Sequence, residues 1–180
     1  MRYANLLRLG GSLNEVKLRY ERVLQLRPGY AEAHNNYAIL LEDLGELGAA
    51  RKHYRMALRC RPNYPEAHYN LALHFEAEEN LTDAAKHYRQ ALVYNPGLAE
   101  AHNNLAALLH RQGKTKQAIA RYEAALGHRP NDPEVNYNYA IVLTAMGEIK
   151  KAAVHYRVAQ EFAEAHLARS SQRIDARNQT

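Results

Sequence analysis

The sequence has one cysteine, Cys60, no tryptophan, two phenylalanines, and only six prolines and nine glycines in 180 residues. A lone thiol excludes an internal disulfide framework and a multi-cysteine metal cluster, so a reducing, cytoplasmic setting is the default expectation. No stretch reaches the roughly eighteen apolar residues of a membrane span. Near the start, Arg2, Asn5, Arg8 and the Gly10-Gly11 pair interrupt the apolar centre that a secretory signal would need. Serine is confined to Ser12, Ser170 and Ser171. With no glycine-rich phosphate loop and no His-Glu-x-x-His motif, nothing points to an activated nucleophile, a cofactor or a catalytic metal. We therefore expect no enzyme activity and no cofactor.

What is abundant is Ala, Leu and Tyr, within an apolar content of 47% and a formal net charge of +5. Their placement is periodic. Pro28, Pro62, Pro96 and Pro130 are each 34 residues apart, and each is followed by a variant of one segment: AEAHNN at 31–36, PEAHYN at 65–70, AEAHNN at 99–104 and PEVNYN at 133–138. Four further columns keep the same period: Ala38, Ala72, Ala106, Ala140; Ala50, Ala84, Ala118, Ala152; Tyr54, Tyr88, Tyr122, Tyr156; and Ala57, Ala91, Ala125, Ala159. A period of this length marks a stacked-repeat architecture.

Each unit reads as two amphipathic helices. Ala33, Tyr37, Leu40, Leu41 and Leu44 fall on one helical stripe that Gly45 ends, and Ala50, Tyr54, Ala57 and Leu58 repeat the offsets before Pro62. The small alanines let helix axes approach, and the tyrosines fill the space beside them. One hairpin leaves both stripes half exposed; stacking covers them.

These residues resemble the tetratricopeptide repeat, whose pattern runs from a large residue through Leu-Gly and Tyr to Ala, an aromatic, Ala and Pro. His34, His68 and His102 stand where that family usually has Trp, and Ala38 and its equivalents replace its Gly. The resemblance implies an all-α fold, a right-handed α-α superhelix whose first helices line a concave face. Full repeats are expected at 31–64, 65–98, 99–132 and 133–162, after a truncated repeat at 1–30 in which Met1 falls inside the first helix. A helical cap and frayed tail are expected at 163–180.

The first helices carry a second stripe that packing does not require. Asparagine recurs on it as Asn36, Asn70, Asn104 and Asn138, beside Ile39, Leu73 and Ile141, with Glu32, Asp43 and Glu66 in the N-terminal half. Asparagine is a mediocre helix former, so something other than helicity favours it. A carboxamide carries both donor and acceptor and can pair with the main chain of an extended peptide. An asparagine ladder at this position resembles that of the superhelix of O-linked N-acetylglucosamine transferases, which implies a grip on client peptides. This mechanism requires carboxamides that face solvent; if they only bond neighbouring helices, they order the stack instead. Asn35, Tyr69, Asn103 and Tyr137 are expected to extend the same surface, with rings able to stack on a partner. A carboxylate clamp of the co-chaperone type is not expected, because the stripe offers Glu66 and Asn70 where a clamp uses Lys and Arg. Partners should be neutral, or basic near Glu32, Glu42, Asp43, Glu66 and Glu76.

Two histidine ladders, His34, His68, His102 and His53, His87, His155, invite a metal reading. Equivalent positions on stacked helices lie roughly 8–10 Å apart, too far to share an ion whose ligands sit about 2 Å from it, so packing roles and no metal are expected. The positive charge gathers on the outward side of second helices, at Arg51, Lys52, Arg55, Arg59, Lys86, Arg89, Lys150, Lys151 and Arg157, where acidic residues interrupt it; nonspecific nucleic-acid binding is the lesser reading. The principal expectation is a protein-interaction scaffold holding an extended peptide. The alternatives are a structural module stacking through its open ends, around Tyr3, Leu6 and Leu7, or the substrate-presenting arm of a glycosyltransferase. Fold alone does not choose among them.

Overall fold

The computed structural model describes the backbone of residues 12–178 and the side chains of residues 12–165. The described residues are helical hairpins joined by short turns. In order the helices are α1 (Leu13–Leu26), α2 (Ala31–Asp43), α3 (Leu47–Cys60), α4 (Pro65–Ala77), α5 (Leu81–Tyr94), α6 (Ala99–Arg111), α7 (Thr115–His128), α8 (Pro133–Ala145) and α9 (Ile149–Asn178). They fall into two compact units, one up to Pro96 and one from Gly97 on. In the first unit α2 pairs with α3 and α4 with α5, α1 packs on α2, and the first helices α2 and α4 touch side by side. In the second α6 pairs with α7 and α8 with α9, and α6 touches α8. Tyr3, Leu6 and Leu7 lie outside the described residues.

Local chemistry sets the boundaries. Ser12 and Glu15 form a reciprocal capping box at the start of α1, the Glu15 N–H donating to Ser12 Oγ and the Ser12 N–H to Glu15 Oε2. Pro65 and Pro133 occupy the first turn of α4 and α8, where no N–H is needed. Each first helix among the described residues ends in the same turn. After α2 the Gly45 N–H donates to the Glu42 carbonyl at 2.9 Å and the Glu46 N–H to the Leu41 carbonyl at 2.8 Å, with Gly45 left-handed at φ +76°. Gly113 and Gly147 repeat this geometry, but the equivalent after α4 is Glu79, held at φ +58°. A side chain with a Cβ is strained there, which glycine avoids.

The four residue columns of the repeat form the core. Ala38, Ala72, Ala106 and Ala140 are buried on the first helices, and Ala50, Ala84, Ala118 and Ala152 oppose them on the second. Tyr54, Tyr88 and Tyr122 are buried whole, whereas Tyr156 is half-buried. Their hydroxyls meet carboxylates: Tyr54 OH donates to Glu42 Oε2 and Tyr88 OH to Glu76 Oε2, both at 2.8 Å. A second set ties first helices back to the preceding second helix, Tyr37 OH donating to Glu21 and Tyr139 OH to Glu123. Burial, with the Glu123 carboxylate, pushes the Tyr139 hydroxyl up to about 12, so it stays a donor throughout the physiological range.

The histidine ladders close the hairpins. His34 Nε2 meets the Pro28 carbonyl at 2.9 Å while its Nδ1 meets His53 Nδ1 at 2.9 Å; His68 does the same with Pro62 and His87, at 3.1 and 3.0 Å. One neutral tautomer satisfies both contacts: Nε2–H donates to the carbonyl, and Nδ1 accepts from the partner imidazole. In the fourth repeat Asn136 takes over, its Nδ2 donating to the Pro130 carbonyl at 2.9 Å and its Oδ1 meeting His155 Nδ1 at 2.8 Å.

Candidate functional site

The first-helix stripe is built differently from the simple solvent-facing ladder that the helical wheel suggests. In the first unit Asn35 is 3% exposed and Asn70 8% exposed. Asn70 Nδ2 donates to Asn35 Oδ1 at 3.0 Å across the α2–α4 contact, and Asn35 Nδ2 donates to Asn36 Oδ1 at 3.2 Å. The second unit repeats the pattern. Asn138 Nδ2 donates to Asn103 Oδ1 at 3.2 Å across α6–α8, and Asn103 Nδ2 donates to Asn104 Oδ1 at 3.3 Å and to Glu134 Oε1 at 3.0 Å.

Asn35 and Asn103 thus differ from the expectation for them. They are buried bridges between first helices rather than part of an open surface, because the neighbouring helix lands on that edge of the stripe. Asn70 is also largely enclosed, and one of its N–H groups is committed to Asn35. The requirement that ladder carboxamides be open and without protein partners therefore fails on both counts at Asn70, and Asn36, Asn104 and Asn138 each also have a protein hydrogen-bond partner. Asn36 is exposed, and Asn104 and Asn138 are half-buried. A carboxamide has two donor hydrogens and two lone pairs; the bond from Asn138 to Asn103 uses one of these and fixes the orientation of the rest.

The apolar members lie at the same level. Ile39 and Leu73 are half-buried, while Tyr137 and Ile141 are 53% and 40% exposed on α8. Tyr69 is half-buried, its ring centroid 5.8 Å from that of Tyr88. Tyr137 meets Tyr156 edge-on at 5.7 Å. Together these two rings, Pro133, Glu134, Ala159 and Ala163 line an open cleft of about 500 Å³ between α8 and α9. Tyr156 and the α9 alanines were absent from the expected site. The one signal was that Tyr156 ends a tyrosine column, and among the described residues no further hairpin stacks on it.

Charge on this face is more balanced than the acidic residues suggest. Glu32 is paired with Arg61, and Glu100 with Arg129 at 2.7 Å, the same 29-residue spacing in each unit. A hydrogen bond from its own backbone N–H, together with Arg61, holds the Glu32 carboxyl below its usual range. Glu66 and Asp43 are exposed. Among the described residues no group of three or more His, Cys, Asp or Glu side chains is placed to hold a metal ion. No described helix is long and apolar enough to cross a membrane.

Family comparisons agree with the repeat. Two models of the tetratricopeptide repeat match, one over residues 40–77 and 75–113 and the other over 109–165. The chain belongs to the tetratricopeptide-repeat family. No curated relative matches it by sequence. Among solved structures it is similar to PilF of Pseudomonas aeruginosa, 22% identical over 87% of this chain and 70% of that one, with a TM-score of 0.79. It is similar also to MamA of Desulfovibrio magneticus RS-1, 19% identical over 89% and 90%, with a TM-score of 0.76. A third, YrrB, described as a tetratricopeptide-repeat protein with an unusual peptide-binding site, is 20% identical over 92% and 86%, with a TM-score of 0.70. At these identities the likeness establishes the fold: all-α, of stacked tetratricopeptide hairpins.

Proposed function

We propose that this tetratricopeptide-repeat protein is an interaction scaffold that holds an extended segment of a partner protein along its first helices. Asn36, Asn104 and Asn138 face the partner's main chain, with the enclosed Asn35, Asn70 and Asn103 ordering them from behind. Tyr137 and Ile141 receive side chains, assisted by Tyr69, Ile39 and Leu73. Glu32, Asp43 and Glu66 bias the N-terminal part toward neutral or basic residues, with Asp43 and Glu66 carrying more of that bias than the ion-paired Glu32. The asparagine ladder of the O-linked N-acetylglucosamine transferase superhelix is the nearest analogy for this mode of binding. The chain acts here as a binding protein and not as an enzyme.

The observation that carries this reading is at α8. Tyr137 and Ile141 leave apolar surface open to solvent on either side of Asn138, whose carboxamide is already oriented by Asn103. Pre-oriented polar groups beside exposed aromatic area have the make-up of a peptide anchor, because little ordering entropy remains to be lost on binding. A panel of immobilised extended peptides, probed with the protein and with Asn138→Ala/Tyr137→Ala, tests it. The pair should bind at least about tenfold more weakly to the peptides the protein selects, with helicity and melting nearly unchanged. Unaltered binding by the variant would remove the reading.

A second reading, end-to-end stacking of copies, is favoured by the cleft beside Tyr156, where apolar surface of a repeat column lies uncovered. A molar mass that rises with concentration in light scattering, and returns to the monomer value in Tyr156→Lys, would establish it in place of the peptide.

A further inference from the structure

A second cleft opens in the first unit, on the side away from the asparagines, where α3, α4 and α5 meet. It encloses about 480 Å³. Its rim carries Arg55, Arg59 and Lys86, all exposed, against a single carboxylate, Asp83. Asp83 is occupied locally, its Oδ2 accepting from Asn80 Nδ2 at 2.8 Å at the start of α5. None of the three cations is ion-paired among the described residues; Arg59 makes only a long contact to the Met56 sulfur. The floor is apolar and aromatic, with Leu58 and Leu71 beside Phe75, whose ring stacks on His87 at 5.6 Å. The second unit has no counterpart: Glu123, Gly127 and Val154 stand two repeats on from Arg55, Arg59 and Lys86.

We propose that this cleft is a second docking site, for an acidic peptide segment carrying one bulky apolar residue, distinct from the asparagine face. Three unpartnered cations around one satisfied carboxylate leave a local excess of positive charge that only an anionic ligand complements. The apolar floor needs more than an anion. A cleft of this size takes a leucine-sized or aromatic side chain; the uncovered part of the half-buried Leu58 gains only if such a group covers it, while Phe75 and Leu71, already buried, back the floor from within. A nucleic acid strand fits less well, because backbone binding relies on a track of cations following successive phosphates. Here the cations ring an apolar pocket, Asp83 stands among them, and the corresponding positions of the second unit are not basic.

Fluorescence anisotropy of a labelled short peptide, a central leucine flanked by glutamates and aspartates, tests the assignment on the whole chain. The peptide should bind, and affinity should fall at least about tenfold in Arg55→Glu/Lys86→Glu and, independently, in Arg59→Glu. Replacing the peptide's leucine by glycine should weaken it comparably. Asn138→Ala/Tyr137→Ala should leave this binding unchanged, which separates the site from the first-helix face. All three cations are exposed, so the charge reversals should retain wild-type helicity and melting. The proposal is overturned if the charge reversals bind the peptide as the wild type does, or if the glycine peptide binds equally well. It is also overturned if inorganic phosphate displaces the peptide completely, or if a single-stranded oligonucleotide of equal charge binds more tightly than the peptide.

Discussion

The hairpins of the first unit and the last hairpin of the second close the same junction with different chemistry. In α2–α3 and α4–α5 an imidazole from the first helix accepts a hydrogen bond from an imidazole of the second, while its far nitrogen donates to the carbonyl of the preceding proline. In α8–α9 the first-helix partner is Asn136, which makes both contacts with a carboxamide that does not titrate. The difference teaches that in these three hairpins the junction keeps a hydrogen-bonding geometry rather than a residue type. It also gives the two units different responses to acid, since only a His–His pair loses its bond when both rings become cationic.

The largest contrast between units should come from the tyrosine column. Tyr88 is fully buried in the first unit, whereas Tyr156 is half-buried in the second. Tyr88→Ala should cost about 3–5 kcal/mol in urea unfolding, through lost burial, the cavity left behind and the lost hydrogen bond to Glu76. Tyr156→Ala should cost about 1 kcal/mol. Equal losses would show that the two positions of the tyrosine column are covered alike.

Acid should act next. Burial, reinforced by the facing His68, pulls His87 down to about 4; burial and then His34 lower His53; and burial lowers His68 against the opposing pull of the Pro62 carbonyl. Lowered folded-state values mean that the unfolded chain binds the protons more tightly. The stability these groups contribute is therefore complete above the ordinary histidine value of 6.5 and is lost as pH falls from there toward about 4. His155 is lowered by burial alone. Converting the second hairpin to the Asn136 arrangement with His68→Asn should keep the unfolding free energy at pH 7.5 within about 1 kcal/mol of wild type, with a similar urea midpoint. The fall in that midpoint between pH 7 and pH 5 should become shallower. An unchanged slope would mean the His68–His87 contact is not what senses acid.

A smaller effect is expected at the turn after α4. Glu79 occupies the left-handed conformation that Gly45, Gly113 and Gly147 take in the other repeats. Glu79→Gly should raise stability by about 1 kcal/mol, and Gly113→Ala in the second unit should lower it by a similar amount, read from thermal melts. A loss on Glu79→Gly would mean that the glutamate side chain contributes more than its backbone costs.

Much of this was legible in the residues. The 34-residue period, the buried alanine columns and the stop at Gly45 follow from spacing and from the steric demands of close helix packing. The absent glycine at Glu79 was equally visible in that column. What a single helical wheel could not show is which neighbour each stripe meets. Asn35 and Asn36 are adjacent in sequence, yet α4 lands on the first and leaves the second exposed, and only that docking turns Asn35 into an acceptor for Asn70. Nor could composition reveal that Arg61 and Arg129 neutralise Glu32 and Glu100, since each pair is formed 29 residues apart by the return of the chain. The basic cleft shows the same limit: Arg55, Arg59 and Lys86 read as a solvated outer face until α4 supplies Phe75 as its floor.

The claim on which the functional account rests is that the first-helix carboxamides read a partner's main chain. Backbone N-methylation of a peptide selected from the panel addresses it most directly, because each methyl removes one N–H donor and leaves every side chain in place. Affinity should fall about tenfold or more at methylated positions about three residues apart, the rise of an extended strand over one helix-to-helix step, and stay near the parent value elsewhere. A flat profile, with affinity governed by side-chain substitutions alone, would contradict it.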